Sequence, residues 1–178
     1  MIHIRNAGTD DIPIIREIAY KAWPVAFREI LVPQQIDYML EMMYSISSLT
    51  EQINIKGHMF LLSFLYNLPI LNKVSGQRER KYIGYSSYEL NIAGTGKTKI
   101  HKIYILPKYQ GSGSGKVIIK EIEKISICNN CGVLTLNVNR NNRAVGFYKN
   151  LGFKIIGEEN IDIGNGFFME DYVMEKVL

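Results

Sequence analysis

The chain has 178 residues, of which 47% are hydrophobic and 21% charged, so it is long enough to bury a core as one domain, residues 1–178. The net charge of +4 is mild and no block of Lys and Arg occurs, which argues against a nucleic-acid-binding protein. No apolar run reaches the ~20 residues of a membrane span and no secretory signal is recognisable, so we expect a cytoplasmic protein that does not bind membranes.

The first part of the chain is predicted to contain one strand followed by helices. Alternating apolar and polar residues indicate the strand, and apolar residues at intervals of three and four indicate the helices. Capping residues and prolines mark the helix starts. In chain order, these patterns predict a strand at Ile2–Ile4, a helix from Thr9-Asp10-Asp11-Ile12-Pro13 to Trp23-Pro24, a second helix from Pro33, a third, short helix at Ser48–Gln52, and a strand at Met59–Tyr66.

The second part is predicted to contain most of the strands. The order of elements predicts an α+β domain on one mixed sheet. The predicted elements are a loop or extended hairpin connection at Asn67–Arg80, a strand at Tyr82–Leu90, a turn at Asn91–Gly96, a strand at Lys99–Leu106, a helix at Ser114–Ile127, a strand at Val133–Val138, a helix at Asn141–Asn150, and strands at Phe153–Gly157 and Phe167–Val177.

The most informative stretch runs from Ile103 to Lys116. An apolar strand ends at Pro107, a loop with three glycines follows, and an amphipathic helix begins within the loop's last residues. Glycine lets the backbone approach an anion closely, and the free N–H groups at a helix N-terminus favour negative charge. The stretch therefore predicts a phosphate-binding loop.

Two nucleotide-binding motifs fit this stretch poorly. A Walker loop needs Gly, four residues and then Gly-Lys-Ser/Thr, but Gln110 and Val117 occupy two of the required positions. Gly96-Lys97-Thr98 lacks the first glycine and is not followed by a helical pattern. A Rossmann loop needs Gly-x-Gly-x-x-Gly after the first strand of a βαβ unit, whereas this loop has Gly-x-Gly-x-Gly and lies past mid-chain.

The two cysteines, Cys128 and Cys131, are interpreted as unpaired thiols at a helix C-terminus. A zinc site needs about four ligands, and no second Cys or His pair follows at a suitable spacing. We therefore expect no metal.

Two motifs together resemble the GCN5-related N-acetyltransferase (GNAT) superfamily. Gln-Gly-Ser-Gly-Ser-Gly from Gln110 is similar to the family's Gln/Arg-x-x-Gly-x-Gly/Ala segment, which binds acetyl-CoA. Asn141 to Phe153 resembles its Asn-x-x-Ala-x-x-Phe-Tyr-x-x-x-Gly-Phe segment, one helix and one strand later. The last residues, from Gly157, look most like the bacterial spermidine/spermine acetyltransferase branch.

The resemblance implies a single mixed, mostly antiparallel sheet of six to seven strands with helices on both faces. It implies an enzyme that transfers acetyl from acetyl-CoA to a primary amine of a small molecule, such as a polyamine, by direct attack in a ternary complex. Two alternatives stay open: acetylation of a peptide N-terminus or lysine, and a non-catalytic acetyl-CoA-binding module. Dimers are common in such folds, so a homodimer is a further open expectation.

The resemblance also assigns the cofactor-binding residues. The backbone of the strand before the loop would pair with the pantetheine arm, and the N–H groups of the loop would hold the pyrophosphate. Asn141 would cap its helix and touch the cofactor, although capping alone would explain this residue. The predicted cofactor-binding residues are Ile103, Tyr104, Ile105, Gln110, Gly111, Ser112, Gly113, Ser114, Gly115, Lys116 and Asn141.

Two catalytic residues are predicted. Tyr148 occupies the family's general-acid position, where a phenol can protonate the departing thiolate. His101 stands where the polyamine branch has a glutamate, and strand alternation predicts that it shares a face with Ile103 and Ile105. A backbone N–H of Ile103 or Ile105 would polarise the thioester carbonyl. A purely structural role stays open for the side chains of Tyr148 and His101.

The acceptor site is expected to be built by the first helices, with Trp23, Phe27 and Tyr38 as substrate-contacting residues. An aromatic stripe at helical spacing is also typical of a core, so this second interpretation stays open. Three carboxylates near the end of the chain would supply acidity at the acceptor site or lie in solvent: Asp162, Glu170 and Asp171.

Overall fold

The structure, a computed structural model, describes residues 1–67 and 79–178. In these residues, seven strands form one sheet in the order β1-β2-β3-β4-β5-β7-β6. All neighbouring strands are antiparallel except β4 and β5, which are parallel. The elements are β1 (His3–Ala7), α1 (Ile12–Phe27), α2 (Pro33–Tyr44), α3 (Ile46–Asn54), β2 (Met59–Tyr66), β3 (Arg80–Glu89), β4 (Lys97–Ile105), α4 (Ser114–Cys128), β5 (Val133–Asn139), α5 (Ala144–Asn150), β6 (Lys154–Gly164) and β7 (Phe167–Val177).

The helices cover the sheet on two faces. Buried side chains of α1, α2 and α3 form one apolar cluster on what we call the front face. Those of α4 and α5 form a second cluster on the opposite side, the back face. This arrangement confirms the predicted α+β class, the mixed sheet and the order of elements.

Helix α1 runs further than the sequence predicts. The apolar pattern was expected to end at Trp23-Pro24, but the helix continues to Phe27 with Pro24 inside it. Proline removes one backbone donor from a helix but keeps its carbonyl oxygen. The N–H of Arg28 donates to the Pro24 carbonyl at 3.1 Å, and burial of Phe27 against the sheet accompanies this extra turn.

The predicted cap of α5 is wrong. The helix was expected to begin at Asn141, but it begins at Ala144, whose N–H donates to the side chain of Asn142 at 2.9 Å. The N–H of Asn141 instead donates to the Asn139 side chain at 3.0 Å. Two successive asparagine turns therefore precede the helix, and sequence spacing alone does not reveal them.

Strand β6 is longer than predicted. It was expected at Phe153–Gly157 but continues to Gly164, and most of its residues are exposed. The extra length of β6 is explained by its pairing with β7. Strand β7 itself was predicted correctly at Phe167–Val177. A tight turn at Asn165 and Gly166, both with positive φ, joins the two strands.

Three other expectations concern the cysteines, membrane-spanning segments and the connection at Asn67–Arg80. Cys128 and Cys131 are both free, as predicted. Within residues 1–67 and 79–178, no helix has the length and apolar character needed to cross a membrane. Most of the predicted Asn67–Arg80 connection lies outside the described residues, although the Asn67 N–H donates to the Glu79 carbonyl at 2.9 Å.

Buried hydrogen bonds join α1 and α2 to the sheet on the front face. The hydroxyl of Tyr44 accepts from Trp23 Nε1 at 3.0 Å and from the Tyr85 hydroxyl at 2.6 Å. Tyr44 and Tyr85 are fully buried, and burial raises the pKa of both phenols. These bonds satisfy polar groups that would otherwise be costly to bury.

Replacement of Tyr44 by Phe should therefore destabilise the fold by at least about 2 kcal/mol, because it leaves two buried donors without their acceptor. Urea denaturation would measure the change in the free energy of unfolding. Tyr20→Phe is the control: Tyr20 is 40% exposed, so the expected change is under about 0.5 kcal/mol. Equal losses in both variants would contradict a specific role for the buried bonds.

Candidate active site

Strands β4 and β5 separate half-way along β4. They pair from Lys97 opposite Val133 to Ile100 opposite Leu136, and no further pair joins them in the described residues. Beyond this point β5 pairs with β7, and β4 pairs with β3. The separation leaves a cleft in the middle of the sheet, which we call the β4–β5 gap.

Backbone groups of β4 point into this gap. The N–H of Leu106 donates to the Ile83 carbonyl of β3 at 2.8 Å. Because N–H groups alternate in direction along a strand, those of Ile103 and Ile105 point away from β3 and towards β5. The predicted cofactor pairing is thus geometrically open to these two residues. By the same alternation, the backbone of Tyr104 faces β3, so its predicted pairing across the gap is wrong.

The loop after β4 carries free backbone donors. The first helical hydrogen bond of α4 runs from Val117 N–H to the Gly113 carbonyl at 3.1 Å, so the N–H groups of residues 113–116 precede the helical ladder. Gly111 and Gly113 have φ of +78° and +85°, a conformation that glycine adopts without strain. The hydroxyls of Ser112 and Ser114 lie 2.7 Å apart and stabilise the turn.

The third glycine has a different role. A Cβ atom on Gly115 would lie 2.9 Å from Cζ of Phe147 in α5. Gly115 therefore allows α4 and α5 to pack closely. Gln110 closes the other end of the loop, because its Nε2 donates to the Ile105 carbonyl at 3.2 Å, while the Lys116 side chain is exposed.

Tyr148 lies on α5, on the back face and next to the gap. It is 8% exposed, and its ring lies 5.2 Å from that of Phe147 and 5.6 Å from that of Phe153. Burial raises the pKa of its phenol, so the hydroxyl stays protonated at neutral pH. Tyr148 packs in the same back-face cluster as Ile103 and Ile105 of β4, which places it beside the gap.

His101 lies at a bulge in β4, and its predicted orientation is wrong. The register shifts between Ser87 opposite Lys102 and Tyr88 opposite Ile100, so His101 is the extra residue. Ile103 and Ile105 pack on the back face, whereas the His101 ring stacks on His58 at 3.9 Å. A bulge breaks strand alternation, and this explains the difference.

The two stacked histidines are neutral at pH 7. Burial and the cations of Lys102 and Lys99 lower the pKa of His101 to about 4, despite the Glu89 carboxylate at 3.2 Å from its Nε2. Burial and His101 lower the pKa of His58 to about 4 as well. Since a neutral imidazole is the donor to Glu89, its proton lies on Nε2.

His58, Glu89 and His101 bring metal-ligand atoms within 4.8 Å of one another. A metal lies in the plane of each imidazole that binds it. The two rings are inclined by only 15°, so their lone pairs run side by side and do not converge. In this conformation the group is a stacked pair with a hydrogen bond to a carboxylate.

Asp171 is the functional candidate that sequence reasoning did not select. It lies on β7, is 7% exposed, and its Oδ1 has no hydrogen-bond partner in the described residues. Burial raises its pKa to about 6. The sequence offered it only as one of three acids, because the apolar residues of β7 do not alternate with polar ones and give no signal for its burial.

The predicted acceptor residues differ in position. Trp23 and Phe27 are 2% and 4% exposed and belong to the front-face core, so the alternative interpretation as core residues fits them and the substrate-contacting one does not. Tyr38 is half-buried, and its hydroxyl donates to the Ile163 carbonyl at 2.8 Å. Of the three, only Tyr38 stands beside the β6–β7 hairpin with an accessible edge.

Comparison with known proteins gives a consistent result. The chain matches the family model described as acetyltransferase (GNAT) domain over residues 29–176. It is 30% identical to the spermidine N(1)-acetyltransferase of Thermoplasma acidophilum over 172 residues, which are 95% of this chain and 96% of that protein. A 61-residue segment is 38% identical to the peptidyl-lysine N-acetyltransferase YjaB of Salmonella typhimurium, covering 34% of this chain and 39% of that protein.

The fold is similar to that of solved acetyltransferases. The PaiA N-acetyltransferase of Thermoplasma acidophilum, in complex with coenzyme A, superposes with a TM-score of 0.77. The sequence identity is 24%, and the match covers 100% of this chain and 99% of that chain.

The stacked histidines should make the fold acid-sensitive. Their folded pKa values near 4 lie below the unfolded value of 6.5, so the unfolded chain binds more protons between these values. The free energy of unfolding should therefore fall as the pH is lowered through this window, and less so in the double variant His58→Asn/His101→Asn. Urea denaturation at several pH values from 7 to 4.5 would measure the free energy of unfolding of the wild type and the double variant, with His3→Asn as control. Parallel curves for the wild type and the double variant would contradict the low pKa values of His58 and His101.

Proposed function

The chain belongs to the GNAT family of acetyltransferases, and on this premise we propose that it acetylates the primary amine of a small molecule by direct transfer. It is an N-acetyltransferase and its acetyl donor is acetyl-CoA. The observation that carries the proposal is the β4–β5 gap, which ends at a loop with free N–H groups.

The gap and the loop suit the two parts of the cofactor. The pantetheine arm contains two amides, and it can pair with the backbone of Ile103 and Ile105 as an added strand does. The pyrophosphate can accept hydrogen bonds from the N–H groups of residues 113–116, where the helix dipole also favours an anion. The thioester would then lie deep in the gap, beside Tyr148.

Direct transfer needs three groups around the thioester. The amine attacks the carbonyl carbon, and a β4 N–H, that of Ile103 or Ile105, stabilises the negative oxygen that forms; such a donor is commonly worth about 3–4 kcal/mol. The C–S bond then breaks, and Tyr148 protonates the thiolate. The phenolate regains its proton from the nitrogen of the new amide.

His101 as the base stays a prediction, and the environment of its ring disfavours this role. Its pKa of about 4 makes it a weak acceptor of a proton from an ammonium group. Its Nε2 is occupied by Glu89, and its ring is stacked on His58. Asn141 is exposed beside the start of α5, which leaves it accessible for the predicted contact with the cofactor.

The acceptor proposed first is a polyamine or another small amine. The support is the full-length similarity to a spermidine N(1)-acetyltransferase. A peptide lysine is the second candidate, supported by the 61-residue similarity to a peptidyl-lysine N-acetyltransferase. Location in the cytoplasm and a homodimer stay predictions, which cell fractionation and light scattering would check.

A panel of acceptors tests this proposal. The purified chain is first titrated with acetyl-CoA by calorimetry, and then mixed with acetyl-CoA and spermidine, simple monoamines or a lysine-containing peptide while thiol release is followed. We expect cofactor binding and faster thiol release with the small amines than with the peptide. Cofactor binding without turnover of any amine would contradict the catalytic proposal and favour a non-catalytic module.

Tyr148→Phe tests the general acid. The variant should lower kcat by about 10²–10⁴-fold, because the thiolate must leave unprotonated, while the Kd for acetyl-CoA should change little. Tyr88→Phe is a matched control, since it removes a hydroxyl from a tyrosine buried in the same back-face cluster. If Tyr148→Phe retains full activity, the proton comes from another group.

A further inference from the structure

We propose that the carboxylate of Asp171 accepts the proton that the acceptor ammonium must lose before it attacks the thioester. This inference rests on the proposed acetyl transfer and adds the missing base to it. Asp171 would be a catalytic residue on β7, the strand that flanks β5 on the side away from the gap.

The position of Asp171 relative to the gap supports this role. It pairs with Asn139, the last residue of β5, in the part of β5 that has separated from β4. Met169, two residues earlier, packs in the front-face cluster, so strand alternation directs Asp171 to the front face as well. The side chain of Tyr104 lies on the same face of β4; burial is the main cause of the raised pKa of its phenol, and the Tyr44 and Tyr148 phenols and the Asp171 carboxylate add to it. Asp171 is thus near the gap on the face opposite to Tyr148.

The lack of a partner for Asp171 is the second observation. It is 7% exposed, yet in the described part of the chain nothing donates a hydrogen bond to its Oδ1. A buried carboxylate without donors destabilises a fold, so a purely structural position would favour an amide or an apolar residue. An incoming ammonium supplies the missing donor as a charge-assisted hydrogen bond.

The neighbouring charges are engaged elsewhere. Lys99 of β4 donates to the side chain of Asn137. Arg140, which follows β5, donates to Glu158 at 3.0 Å and to Asn160, although its Nε is unpaired in the described residues. On β6, Glu159 accepts from Asn137 at 2.7 Å. Lys99 and Arg140 favour the ionised form of Asp171, but neither forms an ion pair with it in the described residues.

The electrostatic environment suits a base at neutral pH. Burial raises the pKa of Asp171 to about 6; Lys99 and Arg140 oppose this shift, and Glu159 adds to it. At pH 7.5 the carboxylate is mainly ionised and can accept a proton. It is a stronger base than an ordinary aspartate, and also stronger than His101, whose pKa is about 4.

The proton and electron balance is simple. The ammonium gives one proton to Asp171, and the freed lone pair of the nitrogen forms the C–N bond. The electrons of the C–S bond leave with sulphur, which takes its proton from Tyr148, and the phenolate regains a proton from the nitrogen of the new amide. Asp171 later releases its proton to solvent, so the net products are the amide, the free thiol of coenzyme A and one proton.

A pH–rate profile with a matched pair of variants tests the inference. In Asp171→Asn the acceptor carboxylate becomes an amide of the same shape; Asp10→Asn makes the same change at an exposed aspartate just before α1. With spermidine as the probe, kcat/KM of the wild type should fall below about pH 6. Asp171→Asn should lose at least about 100-fold at pH 7, and Asp10→Asn should match the wild type.

The dependence of the loss on pH distinguishes a base from a structural residue. As the pH approaches 10, more spermidine arrives already deprotonated, so the deficit of Asp171→Asn should shrink. The melting temperature of this variant at pH 7.5 should be equal to or above that of the wild type, because a buried charge is removed. A deficit that is constant with pH, or unchanged activity in Asp171→Asn, would overturn this inference but leave the proposed acetyl transfer standing.

Two further outcomes are informative. If His101→Asn shows the large, pH-rescued loss and Asp171→Asn does not, the base is His101 and the inference is wrong. If the wild-type chain binds acetyl-CoA but acetylates no amine, the proposed function fails and this inference fails with it. The two failures are therefore distinguishable, since only the second removes wild-type turnover.

Discussion

The separation of β4 from β5 after Ile100 is the constraint on which the other features depend. Parallel strands normally continue their ladder, and unpaired backbone groups inside a sheet are costly unless another molecule or water satisfies them. Here the N–H groups of Ile103 and Ile105 face the gap in the middle of a seven-stranded sheet, and the strand leads directly to the glycine loop. The sheet is therefore incomplete in a way that an extended, amide-containing cofactor can complete.

The two faces of the sheet make different contributions to the site. On the back face, Gly115 lets α4 approach Phe147 of α5, and this contact places Tyr148 beside the gap. On the front face, the bonds of Tyr44 fix α1 and α2, and strand alternation from Met169 directs the buried Asp171 to the same face. Acid and proposed base thus reach the gap from opposite sides, which allows both to act on one thioester without contact between them.

Local signals predicted much of this arrangement. The glycine spacing of the loop and the Asn141–Phe153 segment indicated the family, the cofactor and Tyr148, because these motifs lie within single elements and their junctions. Non-local features were missed. The bulge at His101 arises from pairing with β3, and the burial of Asp171 from three strands that meet. Neither can be derived from the spacing of residues along one element. For Trp23 the helical spacing left a core position and a substrate contact open, and its buried contact with Tyr44 decides for the core.

A crystal structure of the chain with acetyl-CoA would show whether the cofactor completes the sheet. We expect a pantetheine arm within the β4–β5 gap, its amides paired with Ile103 and Ile105, and its thioester oxygen about 3 Å from a β4 N–H. We also expect the cofactor sulphur within hydrogen-bonding reach of the Tyr148 hydroxyl. A cofactor bound outside the gap, or a sulphur turned away from Tyr148, would contradict this expectation.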